Sequence, residues 1–432
     1  MPTPSLLIVP ARFKTGRLYS QIPVPVAPAT TGAGDFTVTR NTTATRFTSA
    51  GLLESVASGI PRLDYYTSGG TAGCPALLVE PAATNLARWV NQMTAQDTPA
   101  ASGGMTITTG STDFLAPDGT SGSITKYVGG AASGTTQYAY YTGGGIVASA
   151  SGAHTYSLFV KRGATNPLNF CALGIENYAG GTGTIYSYFN LASGTALTAG
   201  ASVQNYGNGW YRLTTPPYTL AAGDLNGTLS FFMAEGNGDL SWPASGALNL
   251  TAYTWGAQFE AGSIATSYIP TTTGTGSRSA DVISVSGAVS GSIGQTEGVL
   301  YIECESNNGE DDVFNINRSA ANAITIYKNA NNSYLGRIYH SSTSIIFTSA
   351  SGVTGTVKIA IAYKSGDSTM YLNGSRVGTL NTTAITFGAA LNYLGVDKSS
   401  AYFSGIKPSR IRAVALYNTR LTDAELATLT TP

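Results

Sequence analysis

Residues 251–259 read Thr-Ala-Tyr-Thr-Trp-Gly-Ala-Gln-Phe, and this stretch decides the fold class. Its bulky side chains recur at every second position, which predicts a strand that buries one face. The residues expected to share that face are Tyr253, Trp255, Ala257 and Phe259. The same alternation recurs in residues 154–160, 229–233, 300–304 and 357–363. No helical period separates these stretches, so we predict antiparallel β-sandwiches.

The composition supports short strands joined by tight turns. The 432 residues include 52 glycines, and only 11% are charged, against about 25% in ordinary globular proteins. Hydrophobic residues make up 42% of the chain, enough to build sizeable cores. At this length we expect two or three domains.

The charge balance and the cysteines exclude several classes of function. The chain has 23 basic and 23 acidic residues without long runs of either sign, so neither nucleic acid nor an anionic membrane surface is an expected partner. No stretch is apolar for long enough to insert into a membrane. Cys74, Cys171 and Cys304 are far apart and odd in number, which indicates neither a disulfide framework nor a zinc site.

We therefore predict an all-β, multi-domain protein of antiparallel β-sandwiches (jelly rolls), with an extended N-terminal arm and one short C-terminal helix. The prolines at 23, 25 and 28 favour an extended arm. Thr422 and Glu425 form a capping box, which places the start of the helix. Asn373-Gly374 predicts a two-residue hairpin. The predicted divisions are an arm at 1–35, a small module at 36–87, a sandwich at 88–270, a linker at 271–292 and a second sandwich at 293–432.

Three short patterns in the small module carry a family resemblance. They are "TR…ATR" ending at Arg46, "G.PR.DY" at residues 59–65 and "LLVEP..TNL" at residues 77–86. Together they resemble a module that recurs in bacteriophage tail and fibre proteins. In that family a jelly roll similar to carbohydrate-binding modules often follows, and Asn208-Gly-Trp-Tyr-Arg212 and Trp255-Gly-Ala-Gln-Phe-Glu260 resemble it.

The C-terminal stretch resembles laminin-G-like and concanavalin-like lectin domains. The segments that carry this resemblance are Lys358-Ile-Ala-Ile-Ala-Tyr363, Met370-Tyr-Leu-Asn-Gly374, Ile411-Arg-Ala-Val-Ala-Leu-Tyr417 and Leu421-Thr-Asp-Ala-Glu-Leu426. Both resemblances imply a virion protein with lectin-like sandwiches. The first residues show no basic n-region and only a short apolar run, so we expect no signal peptide. We therefore expect a protein made in the host cytoplasm and released in the virion at lysis.

Aromatic side chains are the first candidates for sugar binding, because flat rings stack on the apolar faces of pyranoses. Trp242 lies in a loop sequence and is the preferred exposed platform. Tyr138, Tyr140 and Tyr178 lie in glycine-rich or alternating segments and are further candidates. The competing interpretation is that these rings fill cores, as aromatics in sandwiches usually do; Trp210 and Trp255 are assigned to cores.

The densest acidic cluster allows three interpretations. Its members are Glu303, Glu305, Glu310, Asp311 and Asp312. Their oxygens would suit Ca²⁺, the one cofactor that the sequence suggests. Glu303 and Glu305 share a strand face at roughly 7 Å, which would also fit a glycosidase pair. The favoured interpretation is a solvated strand face that runs into a polar turn.

Catalysis is not expected. Only His154 and His340 could activate a nucleophile, and His154 is assigned a structural role in its strand. We predict a non-enzymatic virion component (a tail fibre, head fibre or decoration protein) that binds a host-surface glycan. Its other expected partners are virion proteins and copies of itself in a symmetric homo-oligomer, with a trimer favoured. The alternatives are a capsule depolymerase and a purely structural attachment protein.

Overall fold

The structure is a computed structural model. It describes residues 2–10, 13–20, 35–87, 100–102, 104–130, 136–146, 151–176, 178, 183–221, 227–240, 249–271, 274–286, 291–306, 311–317, 322–341, 343–397 and 409–432. Almost all regular structure in these residues is β-strand, which confirms the predicted fold class.

The strands are given in chain order. The first group is β1 (Leu6–Ile8), β2 (Phe13–Lys14), β3 (Arg17–Leu18), β4 (Phe36–Thr39), β5 (Ala44–Phe47), β6 (Leu53–Val56), β7 (Arg62–Tyr66), β8 (Ala72–Val79) and β9 (Ala83–Asn85). The second is β10 (Ala100–Ser102), β11 (Thr106–Ser111), β12 (Ile124–Val128), β13 (Gln137–Ile146), β14 (Gly152–Arg162), β15 (Phe170–Glu176), β16 (Ile185–Asn190), β17 (Thr195–Ala196), β18 (Ser202–Asn205), β19 (Trp210–Thr214), β20 (Tyr218–Leu220), β21 (Gly227–Ala234) and β22 (Thr251–Ala261). The third is β23 (Gly276–Arg278), β24 (Val282–Ser286), β25 (Glu297–Ser306), β26 (Asp311–Ile316), β27 (Asn322–Lys328), β28 (Tyr334–His340), β29 (Thr343–Thr348), β30 (Gly355–Lys364), β31 (Ser368–Leu372), β32 (Ser375–Asn381), β33 (Tyr393–Asp397) and β34 (Ser409–Tyr417), followed by helix α1 (Asp423–Thr430).

The first sandwich packs two antiparallel sheets from the middle of the chain. One has the order β10-β13-β21-β15-β16-β17, and the other has the order β11-β12-β22-β14-β19-β18, with β20 beside β14. Leu173 and Phe231 of the first sheet and Leu158 of the second are fully buried in the core between them. The alternation in residues 154–160 and 229–233 is therefore confirmed.

Strand β22 departs from the prediction at Gly256. Tyr253 and Trp255 pack in a core on the outer face of their sheet, whereas Ala257 and Phe259 pack inside the sandwich. The four residues thus do not share one face. The reason is a register shift against β14, where Gly256 has a φ of 59°, the conformation of a glycine bulge. The bulge places polar Gln258 and Glu260 on the outer side.

The second sandwich draws strands from both ends of the chain. One sheet has the order β32-β31-β30-β25-β34-β8-β7, with β1 also paired to β34; the other has the order β2-β3-β4-β24-β33-β26-β27-β28-β29. Ile302 and Ile361 of the first sheet pack against Ile324 and Ile338 of the second, and all four are fully buried.

Three predicted segments differ from the structure for one reason. The arm at 1–35 was predicted as a separate extended segment, but Leu6, Ile8 and Leu18 of its described part are at most 2% exposed within the second sandwich. The prolines at 23, 25 and 28 lie outside the described residues. The module at 36–87 contributes β4, β7 and β8 to the sheets of that sandwich. The stretch predicted as a linker contains β23 and β24, and β24 pairs with β33 and β4. Each segment is stabilised by strands distant in sequence.

The predicted turn and helix are confirmed. Asn373 and Gly374 connect β31 to β32 with φ values of 47° and 82°, as a hairpin turn with two left-handed residues requires. Thr422 and Glu425 form the capping box at the start of α1. Leu421 and Leu426 pack on the outer face of the sheet that contains β25 and β34. Among the described residues, no helix is long and apolar enough to cross a membrane.

The hairpin β5–β6 joins the two sandwiches. Phe47 and Leu53 of the hairpin pack with Trp210, and this core includes Trp255, so both tryptophans are buried as predicted. Next to this core the loops that carry Gly70 and Gly207 lie backbone to backbone. A Cβ atom placed on Gly70 would lie 2.5 Å from the nitrogen of Gly207. The sandwiches therefore meet through both side-chain and backbone packing.

Candidate functional site

A cleft opens where the small module, the first sandwich and the second sandwich meet. We call it the junction cleft; its volume is about 500 Å³. Its residues come from β5–β8, from β18, β19 and the segment after β22, and from β25, β30 and β34. No local sequence pattern could indicate this cleft, because each wall comes from a different part of the chain.

Aromatic rings form one side of the junction cleft. The rings of Tyr66 and Tyr206 have centroids 5.2 Å apart, and each contacts Phe47 edge-on with a centroid distance of 5.7 Å. Tyr66 and Tyr206 are half-buried. Burial raises the pKa of both phenols, so their hydroxyls stay protonated at neutral pH. The pair offers ring surface together with neutral hydrogen-bonding groups.

Arginines and carboxylates form the rim. Arg410 pairs with Asp64 through Nη1 and with Glu305 through Nε at 3.1 Å. Its guanidinium also lies 5.6 Å from the ring centroid of Tyr66. Arg412 donates from Nε to Glu305 at 2.8 Å. Glu305 thus binds two arginines, and one of them, Arg410, also links β25 and β34 to Asp64 on β7.

A buried ion cluster lies beneath the cleft, and all its side chains are at most 2% exposed. Its members are Arg40, Arg62, Glu80, Arg278 and Asp281. Arg62 Nη1 lies 2.6 Å from Glu80, and Arg40 Nη1 lies 3.0 Å from Asp281. Asp281 also pairs with Arg62, so the segment before β24 is fixed to the module at 36–87.

The pKa values of the buried carboxylates in this region are shifted in different directions. Burial alone would raise the pKa of Glu80, but Arg278, Arg62 and a hydrogen bond from Ser267 lower it to about 2. Burial raises the pKa of Asp64 despite Arg410. Burial likewise raises the pKa of Glu260, which accepts from the backbone and hydroxyl of Thr266.

The aromatic candidates whose side chains the structure describes, Tyr138 and Tyr178, do not line the junction cleft. Trp242 lies outside the described residues, as does the side chain of Tyr140. Tyr138 is half-buried and stacks on Phe232 with a centroid distance of 4.9 Å, on the outer face of the first sandwich. Tyr178 is only 4% exposed and packs in the core, so its prediction as a sugar platform is wrong: a ring enclosed by other side chains has no face to offer.

The predicted acidic cluster divides between two sheets. Glu303 and Glu305 lie on β25, whereas Asp311 and Asp312 lie on β26 of the facing sheet. Glu310 and the side chains of the two aspartates lie outside the described residues. Because Arg410 and Arg412 occupy both oxygens of Glu305, the calcium role predicted for Glu305 is corrected to that of an ion-pair acceptor. No group of three potential metal ligands occurs among the described residues.

His154 has the structural role assigned to it. It is 1% exposed and stacks on Phe259 with a centroid distance of 5.2 Å. Its Nδ1 lies 3.0 Å from the carbonyl oxygen of Gly152. Burial lowers its pKa, so the ring is neutral at pH 7.

Some residues of the junction cleft belong to the sequence patterns that resemble phage proteins, although no pattern alone indicates a cleft. The charged residues of the patterns that resemble phage proteins include Arg46, Asp64 and Glu80 of the cleft, together with Arg40 and Arg62 of the buried ion cluster. Sequence reasoning used those patterns for recognition and did not connect them to a site. The signal that could have indicated these residues as a site is the recurrence of charged side chains at fixed spacing in a chain with few charges.

Comparison with known proteins identifies one domain. Residues 291–427 match the family model of the concanavalin A-like lectin/glucanases superfamily, Laminin_G_3. This match covers less than half of the chain and confirms the lectin-like resemblance predicted for the C-terminal stretch. No curated protein matches the chain.

Several solved structures resemble parts of the chain. The leech intramolecular trans-sialidase is 16% identical over 32% of this chain and 23% of its own, with a TM-score of 0.28. The Ruminococcus gnavus IT-sialidase CBM40 bound to α2,3 sialyllactose is 14% identical over 32% and 84%, with a TM-score of 0.28. The K499G mutant of the Streptococcus pneumoniae NanB sialidase is 15% identical over 34% and 27%, with a TM-score of 0.29. The chain thus spans under a quarter of the leech enzyme.

Proposed function

We propose that this protein is a non-enzymatic, glycan-binding component of a bacteriophage particle. In this proposal it is a tail fibre, head fibre or decoration protein that assembles with virion proteins and as a symmetric homo-oligomer, with a trimer favoured. Glycan binding attaches the particle to its host. The match of residues 291–427 to the lectin/glucanases superfamily carries the glycan-binding part. The patterns in residues 35–86 support the phage setting.

Shallow, repeated binding sites suit this role. Stacking of one or two rings contributes only a few kcal/mol, so a single chain is expected to bind at high-micromolar to millimolar concentration. Copies held in one particle raise the avidity by roughly 10²–10⁴ without any new contact. Attachment therefore depends on assembly.

The test compares single chains with assembled particles. Isolated protein is titrated with surface polysaccharide from the host, and adsorption of particles to the same cells is measured with and without that polysaccharide as a competitor. We expect weak binding by the chain and strong, competed adsorption by the particle. Particles that contain no copy of this chain by mass spectrometry would exclude the virion role, and absence of any glycan binding would leave only structural attachment.

One observation favours hydrolysis of polysaccharide as a second candidate. Asp64 and Glu305 pair with the same arginine, so two carboxylates lie in one cleft, and burial raises the pKa of Asp64. A retaining or inverting glycosidase uses such a pair. Against it, Asp64 accepts from Arg410 and from the backbone of Phe47 and Tyr66. Release of reducing ends that disappears in Glu305→Gln would establish hydrolysis.

A further inference from the structure

We infer that the junction cleft binds an acidic saccharide, with Tyr66 and Tyr206 contacting a sugar ring and the rim arginines Arg46 and Arg412 contacting its carboxylate. This inference rests on the proposed glycan binding and adds the place and the chemical class of the ligand. The site lies at the meeting of three parts of the fold, outside the core of either sandwich.

The three carboxylates of the cleft already accept several hydrogen bonds each. Asp64 accepts from Phe47, Tyr66 and Arg410. Glu80 accepts from Arg62 and twice from Ser267. Glu305 accepts from Thr356, Arg410 and Arg412. A carboxylate has about four lone-pair sites, so these groups offer little to a ligand that donates hydrogen bonds.

The donors of the cleft are only partly used. Arg46 pairs with Glu54 through Nε and Nη2, and Arg412 pairs with Glu305 through the same two atoms. Among the described residues, no partner is recorded for the Nη1 group of either arginine. Beneath them Arg212 is 1% exposed, and its Nε has no hydrogen-bond partner in the described part of the chain. The charged side chains of the cleft therefore offer more unused donors, on its arginines, than unused acceptors, on its carboxylates.

The charge beneath the cleft also favours a negatively charged ligand. The buried ion cluster holds three arginines and two carboxylates. Arg212, next to it, belongs to no ion pair among the described residues. It donates instead to Thr266 and Ser157, and burial raises the pKa of the neighbouring Glu260. A site with surplus positive charge and unused guanidinium donors selects a ligand that brings acceptors and negative charge.

The ring side of the cleft selects a saccharide over a small anion. Tyr66 and Tyr206 supply apolar ring surface beside neutral hydroxyls, and a sugar ring presents apolar C–H faces together with hydroxyl groups. A volume of about 500 Å³ lies within the range of small-molecule sites. Both requirements are met by a pyranose that carries a carboxylate.

The experiment uses the full chain and pairs of glycans that differ only in charge. Oligogalacturonate, hyaluronan oligosaccharides and oligomers of N-acetylneuraminate are each tested beside their carboxyl-reduced forms by calorimetry. We expect binding of at least one acid and a loss of about tenfold or more on reduction of its carboxyl groups, as a charge-assisted contact is removed. Arg412→Gln and Arg46→Gln are expected to cause a similar loss for the acid and little change for the reduced form.

Two controls separate this inference from the proposed function. Arg376→Gln removes the same charge from the edge strand β32, which β31, β30 and β25 separate from β34 and its Arg412, and this variant is expected to bind normally. Tyr138→Ala removes the other described aromatic candidate. Binding that is equal for acidic and reduced glycans, or that is lost in Tyr138→Ala but not in the cleft variants, overturns this inference and leaves glycan binding intact. Failure of every glycan to bind overturns both. Melting curves confirm that each variant is folded.

Discussion

Replacement of Glu80 by Gln tests whether the buried ion cluster stabilises the meeting of the two sandwiches. Glu80 is 2% exposed and accepts from Arg62, Arg278 and Ser267. A Gln side chain keeps the shape but turns an NH₂ group toward arginine donors and leaves their charge uncompensated. Removing one partner of a buried pair costs about 3–5 kcal/mol. We expect Glu80→Gln to lower the free energy of unfolding by that amount at pH 7.

The pH dependence gives an independent magnitude. The pKa of Glu80 falls from 4.5 to about 2 on folding, and each pKa unit corresponds to about 1.4 kcal/mol, so its ionisation contributes about 3 kcal/mol. Because the folded-state pKa is the lower one, this contribution is present above pH 4.5 and is lost as the pH falls toward 2. Asp64 and Glu260, whose pKa values are raised, act in the opposite sense. They act in both proteins, so the difference between wild type and Glu80→Gln isolates Glu80.

The assay is urea unfolding followed by the fluorescence of the buried Trp210 and Trp255, at several pH values from 7 to 2.5. The matched control is Glu54→Gln, since Glu54 pairs with Arg46 with 43% of its side chain exposed, and such pairs contribute at most about 1 kcal/mol. The reasoning is refuted if Glu80→Gln lowers the free energy of unfolding by less than its control does. It is also refuted if the difference in that free energy between wild type and Glu80→Gln stays constant below pH 4.5.

Two other substitutions test the corrected fold. Leu6→Ala should lower the free energy of unfolding by about 2–5 kcal/mol by creating a cavity, because Leu6 is fully buried against β34. Val9→Ala, at a position 49% exposed, should change it by less than about 0.5 kcal/mol. Equal melting temperatures for the two variants would show that the N-terminal segment is separate from the second sandwich. Gly70→Ala should lower the melting temperature more than Gly16→Ala. Both glycines have φ above 70°, but only Gly70 has a backbone neighbour within 2.5 Å of the added carbon. Equal decreases in melting temperature would show that the loops carrying Gly70 and Gly207 do not touch in solution.

Local patterns were sufficient for strands, the hairpin and the helix. Alternation predicts a buried face without knowledge of what covers it, and the turn at Asn373 and the cap at Thr422 depend only on neighbouring residues. The same reasoning failed at Gly256, where one left-handed glycine moves Phe259 to the other face. It also failed for the arm and the linker, because the strands that bury Leu6 and Ile283 lie far away in sequence.

The sequence could indicate the candidate site only as a few charged residues, without showing that they lie together. Arg62, Glu80 and Asp281 stand out in a chain with 11% charged residues, yet nothing local says that Asp281 pairs with an arginine 219 positions earlier. Aromatic candidates were chosen from a loop and from glycine-rich or alternating segments, and that criterion missed Tyr66 and Tyr206. Tyr66 ends β7 and Tyr206 follows β18, and they become neighbours only when the two sandwiches meet.

The pairing of β1 with β34 has a consequence for biosynthesis. Ser5 and Leu416 are hydrogen-bonded neighbours separated by 411 positions, so β1 has no partner until β34 has been synthesised. At roughly 5–20 residues per second, the ribosome needs on the order of 20–80 seconds to span that interval. During this time Leu6 and Ile8 have no strand to cover them, and the exposed backbone of β1 can pair with another nascent chain. This sheet therefore cannot close before β34 has been made, and the yield of folded protein should fall when many chains are synthesised close together.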